Sequence, residues 1–77
     1  MPEEKPWILL VEDEEGLREL LAAQLGRRGL RVSALGSAER ALEVLATQEP
    51  ALLMTDLRLP GLSGEALLER AKQRYPQ

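Results

Sequence analysis

The 77-residue chain has no cysteine and no histidine. The first absence excludes a disulfide framework and thiolate chemistry; the second removes the commonest general base and the usual zinc ligand. Carboxylates are left to carry any chemistry. Positive charge is also sparse. The ten Lys and Arg residues are scattered, with Arg27 and Arg28 the only adjacent pair, and the net charge is −3. No basic stripe for nucleic acid is present. The longest uncharged apolar run is five residues, far short of a membrane span, and Met1 to Pro6 carries two glutamates instead of the basic start of a secretory signal. These absences point to a cytoplasmic protein without a nucleic-acid or membrane partner. Internal repeats, low-complexity segments and Ser/Gly linkers are missing too, so one domain, or part of one, fills the chain.

What is present is 44% hydrophobic residues, placed in short runs and helical stripes. A domain this small leaves little margin, so most of these residues must be buried. Trp7 to Val11 is a continuous apolar run of strand length, as in a strand covered on both faces of a parallel sheet. Leu17, Leu20, Leu21 and Leu25 then recur at helical spacing and predict a helix from Glu14 to Arg28 with one leucine face, stopped by Gly29. Leu30, Val32 and Ala34 alternate with Arg31 and Ser33, a short strand with one wetter face, suited to a sheet edge. Ser37 is placed to cap a helix carrying Ala38, Ala41, Leu42 and Leu45 on one face, which ends before Pro50. Ala51 to Thr55 reads as the third strand. Ser63 caps a third helix with Leu67, Leu68, Ala71 and Tyr75 in one stripe, and Pro76 follows its end.

The order β-α-β-α-β-α implies an α/β fold with right-handed crossovers and a parallel sheet of strand order 2-1-3. Glu12 and Asp13 follow the first strand and Asp56 follows the third. In adjacent parallel strands the C-terminal ends meet, and the three carboxylates converge at the switch point. An oxygen-only set of this kind suits Mg2+ or Mn2+ better than zinc. Asp13 and Asp56 are the expected direct ligands, the Arg58 backbone carbonyl a third, and Glu12 a contributor through water. A free oxygen on Asp56 can act as a nucleophile toward phosphorus, giving an aspartyl phosphate. Taken singly, each feature has a plainer reading. The acidic run Glu12 to Glu15 suits the positive end of the first helix, and an aspartate before a Pro-Gly turn is a common loop residue. Their joint placement favours the site.

The strings ILLVEDEE and LLMTDLRLPGLSG, in this order and at this separation, resemble the receiver domains of two-component response regulators, which have a flavodoxin-like fold. The wording TDLRLPGLSG looks most like receivers of enhancer-binding transcription activators or hybrid kinases. The resemblance implies a signalling domain, not an enzyme, with Asp56 phosphorylated by a histidine kinase or phosphotransfer protein. It also implies magnesium on Glu12 and Asp13, Pro60 as the proline of the acceptor loop, and Gly64 as the glycine opening the third helix. Family members have five βα units, of which residues 1–77 match the first three. The Ser or Thr that ends the fourth strand and the Lys that ends the fifth have no counterpart. Lys5 and Lys72 are poorly placed to substitute, and Thr55 should point away from the acceptor.

Two further expectations follow from this match. The third strand, central in the family, would have an open edge, so the chain is expected to self-associate through it as a homo-oligomer. A phosphorylation-independent self-associating or docking module is therefore the alternative function. An aspartyl-nucleophile phosphatase is the poorer third reading, since no general acid stands near Asp56 and the first-strand nucleophile spacing is absent.

Overall fold

Ile8 to Val11 are apolar and all four are buried, which requires cover on both faces of the strand they form. The computed structural model describes residues 6–76, so Lys5 lies outside the described residues. Its elements are β1 (Trp7–Val11), α1 (Glu15–Arg27), β2 (Arg31–Leu35), α2 (Ala38–Leu45), β3 (Leu52–Thr55) and α3 (Gly64–Arg74). The strands form one parallel sheet in the order β2-β1-β3, as the alternation of elements requires. Val11 pairs with Leu35 on one side and Thr55 on the other, so the three strands end level. Asp56 and the pair Glu12–Asp13 therefore leave the sheet side by side.

Leu9 and Val11 point to one face of the sheet, where they join Ala38, Ala41 and Leu45 of α2 and Leu67 of α3 in a single core. Ile8 and Leu10 point to the opposite face, toward α1. The ends of the two core-side helices are tied together. The Tyr75 hydroxyl donates to the Leu45 carbonyl and an Arg74 guanidinium nitrogen to the Ala46 carbonyl, both at 2.7 Å. Across β1 and β2, the Trp7 indole N–H donates to Ser33 Oγ at 2.9 Å.

The helix boundaries obey local chemistry. Ser37 Oγ accepts from the Arg40 N–H and Ser63 Oγ from the Ala66 N–H, both as expected of N-caps. Gly29 adopts φ +82°, the left-handed conformation that ends a helix without a Cβ penalty, and so stops α1. The leucine face of α1 is only partly covered, against the expectation that most hydrophobic residues are buried. No residue of α1 is fully buried; Leu21 and Leu25 are half-buried, but Leu17 and Leu20 stand 39% and 54% exposed. Among the described residues α1 is the lone helix on its face of the sheet, so nothing flanks the outer half of its stripe. A similar exposure marks β3, which pairs with β1 alone and leaves Leu52 51% exposed. Among the described residues, no helix is long and apolar enough to cross a membrane.

Candidate functional site

Past the last paired residues, the backbone carries the strand alignment one step further. Glu12 N–H donates to the Leu35 carbonyl at 3.0 Å and Asp56 N–H to the Val11 carbonyl at 3.3 Å. As a result one carboxylate oxygen each from Glu12, Asp13 and Asp56 lies within 4.8 Å of the others. Asp13 and Asp56 are exposed, while Glu12 is buried.

Glu12 is held by several partners. Its carboxylate accepts from the Glu14 N–H at 3.1 Å, and its carbonyl accepts from an Arg18 guanidinium nitrogen at 2.9 Å. That guanidinium also lies over Gly36, where a Cβ would come within 3.0 Å of it. The acidic run thus divides its labour. Glu14 caps α1, accepting from the Leu17 N–H at 2.7 Å, and Glu15 occupies the first turn, where a negative charge suits the helix dipole. Glu12 and Asp13 remain directed at Asp56. The helix-end reading holds for Glu14 and Glu15, while Glu12 and Asp13 each bring a carboxylate oxygen close to Asp56.

The loop from Leu57 to Ser63 is anchored along its length. Asp56 Oδ1 accepts from the Arg58 N–H at 3.2 Å, and Leu59 turns inward to the core while Leu57, Arg58 and Pro60 stay exposed. Gly61 adopts φ +74°, and the next amide, Leu62 N–H, donates to Glu39 Oε2 of α2 at 2.9 Å. This bond is the chief reason that the Glu39 carboxyl is held below its ordinary value of 4.5. Gly64 N–H donates to the Leu57 carbonyl at 3.1 Å, and a Cβ on Gly64 would overlap the Asp56 carbonyl oxygen. The Thr55 hydroxyl donates to that same carbonyl at 2.9 Å, a local structural use.

Lys72 stands far along α3, on an open cavity of about 470 Å³ that it lines with Glu49, Pro50 and Ala51 at the opposite end of β3 from Asp56. Sequence reading missed Arg18 and Glu39 as contributors, and took Gly61 only as part of a Pro-Gly turn. Only Gly61 left a signal, because a glycine after Pro60 is the usual mark of a turn that needs positive φ.

The donor set fits a hard divalent cation. All three side chains offer oxygen, and an octahedral ion with ligands at about 2.1 Å spans about 4.2 Å between opposite ones. Closing the 4.8 Å cluster onto such an ion needs only small side-chain movements.

Comparison with known proteins agrees with this geometry. The family model described as the response regulator receiver domain matches residues 8–77. The chain is 36% identical over 69 residues to the DNA-binding transcriptional regulator NtrC of Escherichia coli K12, covering 90% of this chain and 15% of that protein. Its fold matches the non-phosphorylated receiver domain of HemR from Leptospira biflexa with a TM-score of 0.88 and 36% identity, over 95% of this chain and 59% of that one. It also matches the response regulator TrrA from Thermotoga maritima, solved in complex with Mg2+ and BeF, with a TM-score of 0.88 and 28% identity, over 92% and 62% of the two chains. The 77 residues therefore span a minor part of NtrC and roughly three fifths of the two solved chains.

Proposed function

Since the chain belongs to the response regulator receiver domain family, we propose that it is a phosphoacceptor module of a two-component system and that Asp56 takes the phosphoryl group. The observation that carries this reading is the convergence of Glu12, Asp13 and Asp56 within 4.8 Å at the ends of two adjacent parallel strands.

The donor is a phosphohistidine on a histidine kinase or phosphotransfer protein. An Asp56 carboxylate oxygen attacks phosphorus; the new O–P bond forms as the N–P bond breaks, and the electron pair stays on the imidazole nitrogen, which takes up a proton. The Arg58 N–H bond to Oδ1 orients the carboxylate and leaves its other oxygen free for attack. Asp13, Asp56 and the Arg58 carbonyl would hold Mg2+ or Mn2+ directly, with Glu12 acting through water. When bound, the cation supplies neutralisation of charge on the transferred group. Glu12, held at its carboxylate by the Glu14 N–H and at its carbonyl by the Arg18 guanidinium, keeps the pocket acidic and shaped. The module works in the cytoplasm as a signalling domain, and its likeness to NtrC supports an output on transcription.

Intact-mass measurement after incubation with Mg2+ and acetyl phosphate, beside Asp56→Asn, tests the reading. A phosphoryl gain in the parent alone supports it. No gain in a folded parent overturns it.

A second element of the proposal is that two copies pair as a homo-oligomer through β3. Among the described residues this strand has one free edge, Ala51 to Thr55 carries no charge to discourage pairing, and Leu52 is half-exposed. Light scattering across a wide concentration range should show mass rising above that of one chain. A monomer throughout rules the pairing out.

A further inference from the structure

We propose that Glu39 is a positioning residue for the acceptor site, its carboxylate holding the Leu57 to Ser63 loop by accepting the Leu62 N–H. The inference rests on the proposed reading of the site and adds a remote support to it.

The loop carries the Arg58 carbonyl and must present it beside Asp56. Its ends are secured locally, by the Arg58 N–H bond to Asp56 and the Gly64 N–H bond to the Leu57 carbonyl, and Leu59 is sunk in the core. Between Leu59 and the Ser63 cap, the Leu62 side chain packs against the core, but the Leu62 N–H has no backbone acceptor among the described residues. There Glu39 reaches across 23 residues of sequence to the Leu62 amide at 2.9 Å. Gly61 makes the approach feasible. Its φ of +74° is strained for any residue with a side chain, and a Cβ built on it would lie 2.6 Å from Glu39 Oε2. The carboxylate occupies the room that a side chain at 61 would need.

The base of this support is rigid. Ala38 and Ala41, on either side of Glu39 along α2, are fully buried, so the helix position is fixed by the core. Loss of the acceptor at 39 would let the middle of the loop sample other arrangements, and the cation would then have to order it on binding. Groups hydrogen-bonded directly to ligands commonly tune metal affinity by about 10–100-fold, and Glu39, acting through the loop, should fall at the low end of that range.

The test is calorimetric titration with MgCl2 of the parent, Glu39→Ala, Glu39→Gln and Glu43→Ala, each with a melting curve. Glu43 lies exposed on the same helix and controls for loss of one negative charge. The expected result is about tenfold weaker magnesium binding in Glu39→Ala. Glu39→Gln, whose amide oxygen can accept the same N–H, and Glu43→Ala should stay within about twofold of the parent. Equal affinity in all four proteins overturns the inference, as does an equal loss in Glu39→Gln or Glu43→Ala, which would make charge the cause. A parent that binds no magnesium overturns the site reading and this inference together; a parent that binds while Glu39→Ala binds equally well overturns this inference alone.

Discussion

Gly64 lies so close to Asp56 that a Cβ on the glycine would overlap the aspartate's carbonyl oxygen. The first residue of α3 and the last before the loop are thus in direct backbone contact, and the Gly64 N–H bond to Leu57 closes the same turn. Glycine is required here for space, since its φ is not in the left-handed region.

Gly64→Ala should therefore destabilise the fold by about 3 kcal/mol, toward the upper end of overpacking costs, because the neighbour is backbone and cannot swing aside. In a chain of this size that corresponds to a fall in Tm of more than about 10 °C. A melt within about 2 °C of the parent would show that the turn opens without strain.

Asp13→Asn should weaken magnesium binding by at least about tenfold, since it removes a charged oxygen that we propose as a ligand from a three-carboxylate cluster. Binding heats measured for parent and variant decide this, and unchanged affinity removes Asp13 from the ligand set.

Glu39 links stability to pH. Its carboxyl is held low first by the Leu62 N–H and then by its own backbone amide, against a smaller opposing effect of burial. The unfolded chain thus binds this proton more readily than the folded one, so stability rises with pH in that window. The contribution is fully present above the ordinary value of 4.5 and is lost as pH falls through the lower folded value. Urea titrations of parent and Glu39→Gln should diverge most near about pH 6 and draw together toward about pH 3. Parallel curves over that range would contradict the assignment.

Leu67 and Leu20 test the contrast between the two faces of the sheet. Leu67 is fully buried between α3 and the sheet, so Leu67→Ala should cost about 3 kcal/mol. Leu20, 54% exposed on α1, should lose less than about 0.5 kcal/mol on the same change. Chemical denaturation resolves the two values, and a large loss at Leu20 would reveal a contact beyond those described.

Much of the fold was legible because its signals are local. An apolar run such as Trp7 to Val11 specifies a strand covered on both faces, Ser37 and Ser63 mark helix starts, and Gly29 marks an end, all through interactions within a few residues. The alternation of strands and helices then restricts the sheet to the order found. Even the carboxylate cluster was readable, since parallel strands with aligned ends must bring their following residues together. The exposure of Leu17 and Leu20 was not, because periodicity says which residues share a face and nothing about how far that face is covered.

By itself, then, the sequence determined the elements, the strand order and the meeting of Glu12, Asp13 and Asp56. Tertiary structure alone decided that Glu14 takes the capping role and frees its neighbours, that Arg18 grips the Glu12 carbonyl, and that Glu39 secures Leu62. The physical reason is range. Caps, turns and strand runs are stabilised by groups a few residues apart, whereas a hydrogen bond between Glu39 and Leu62 exists only after two helices have packed on the same sheet and brought distant backbone within about 3 Å.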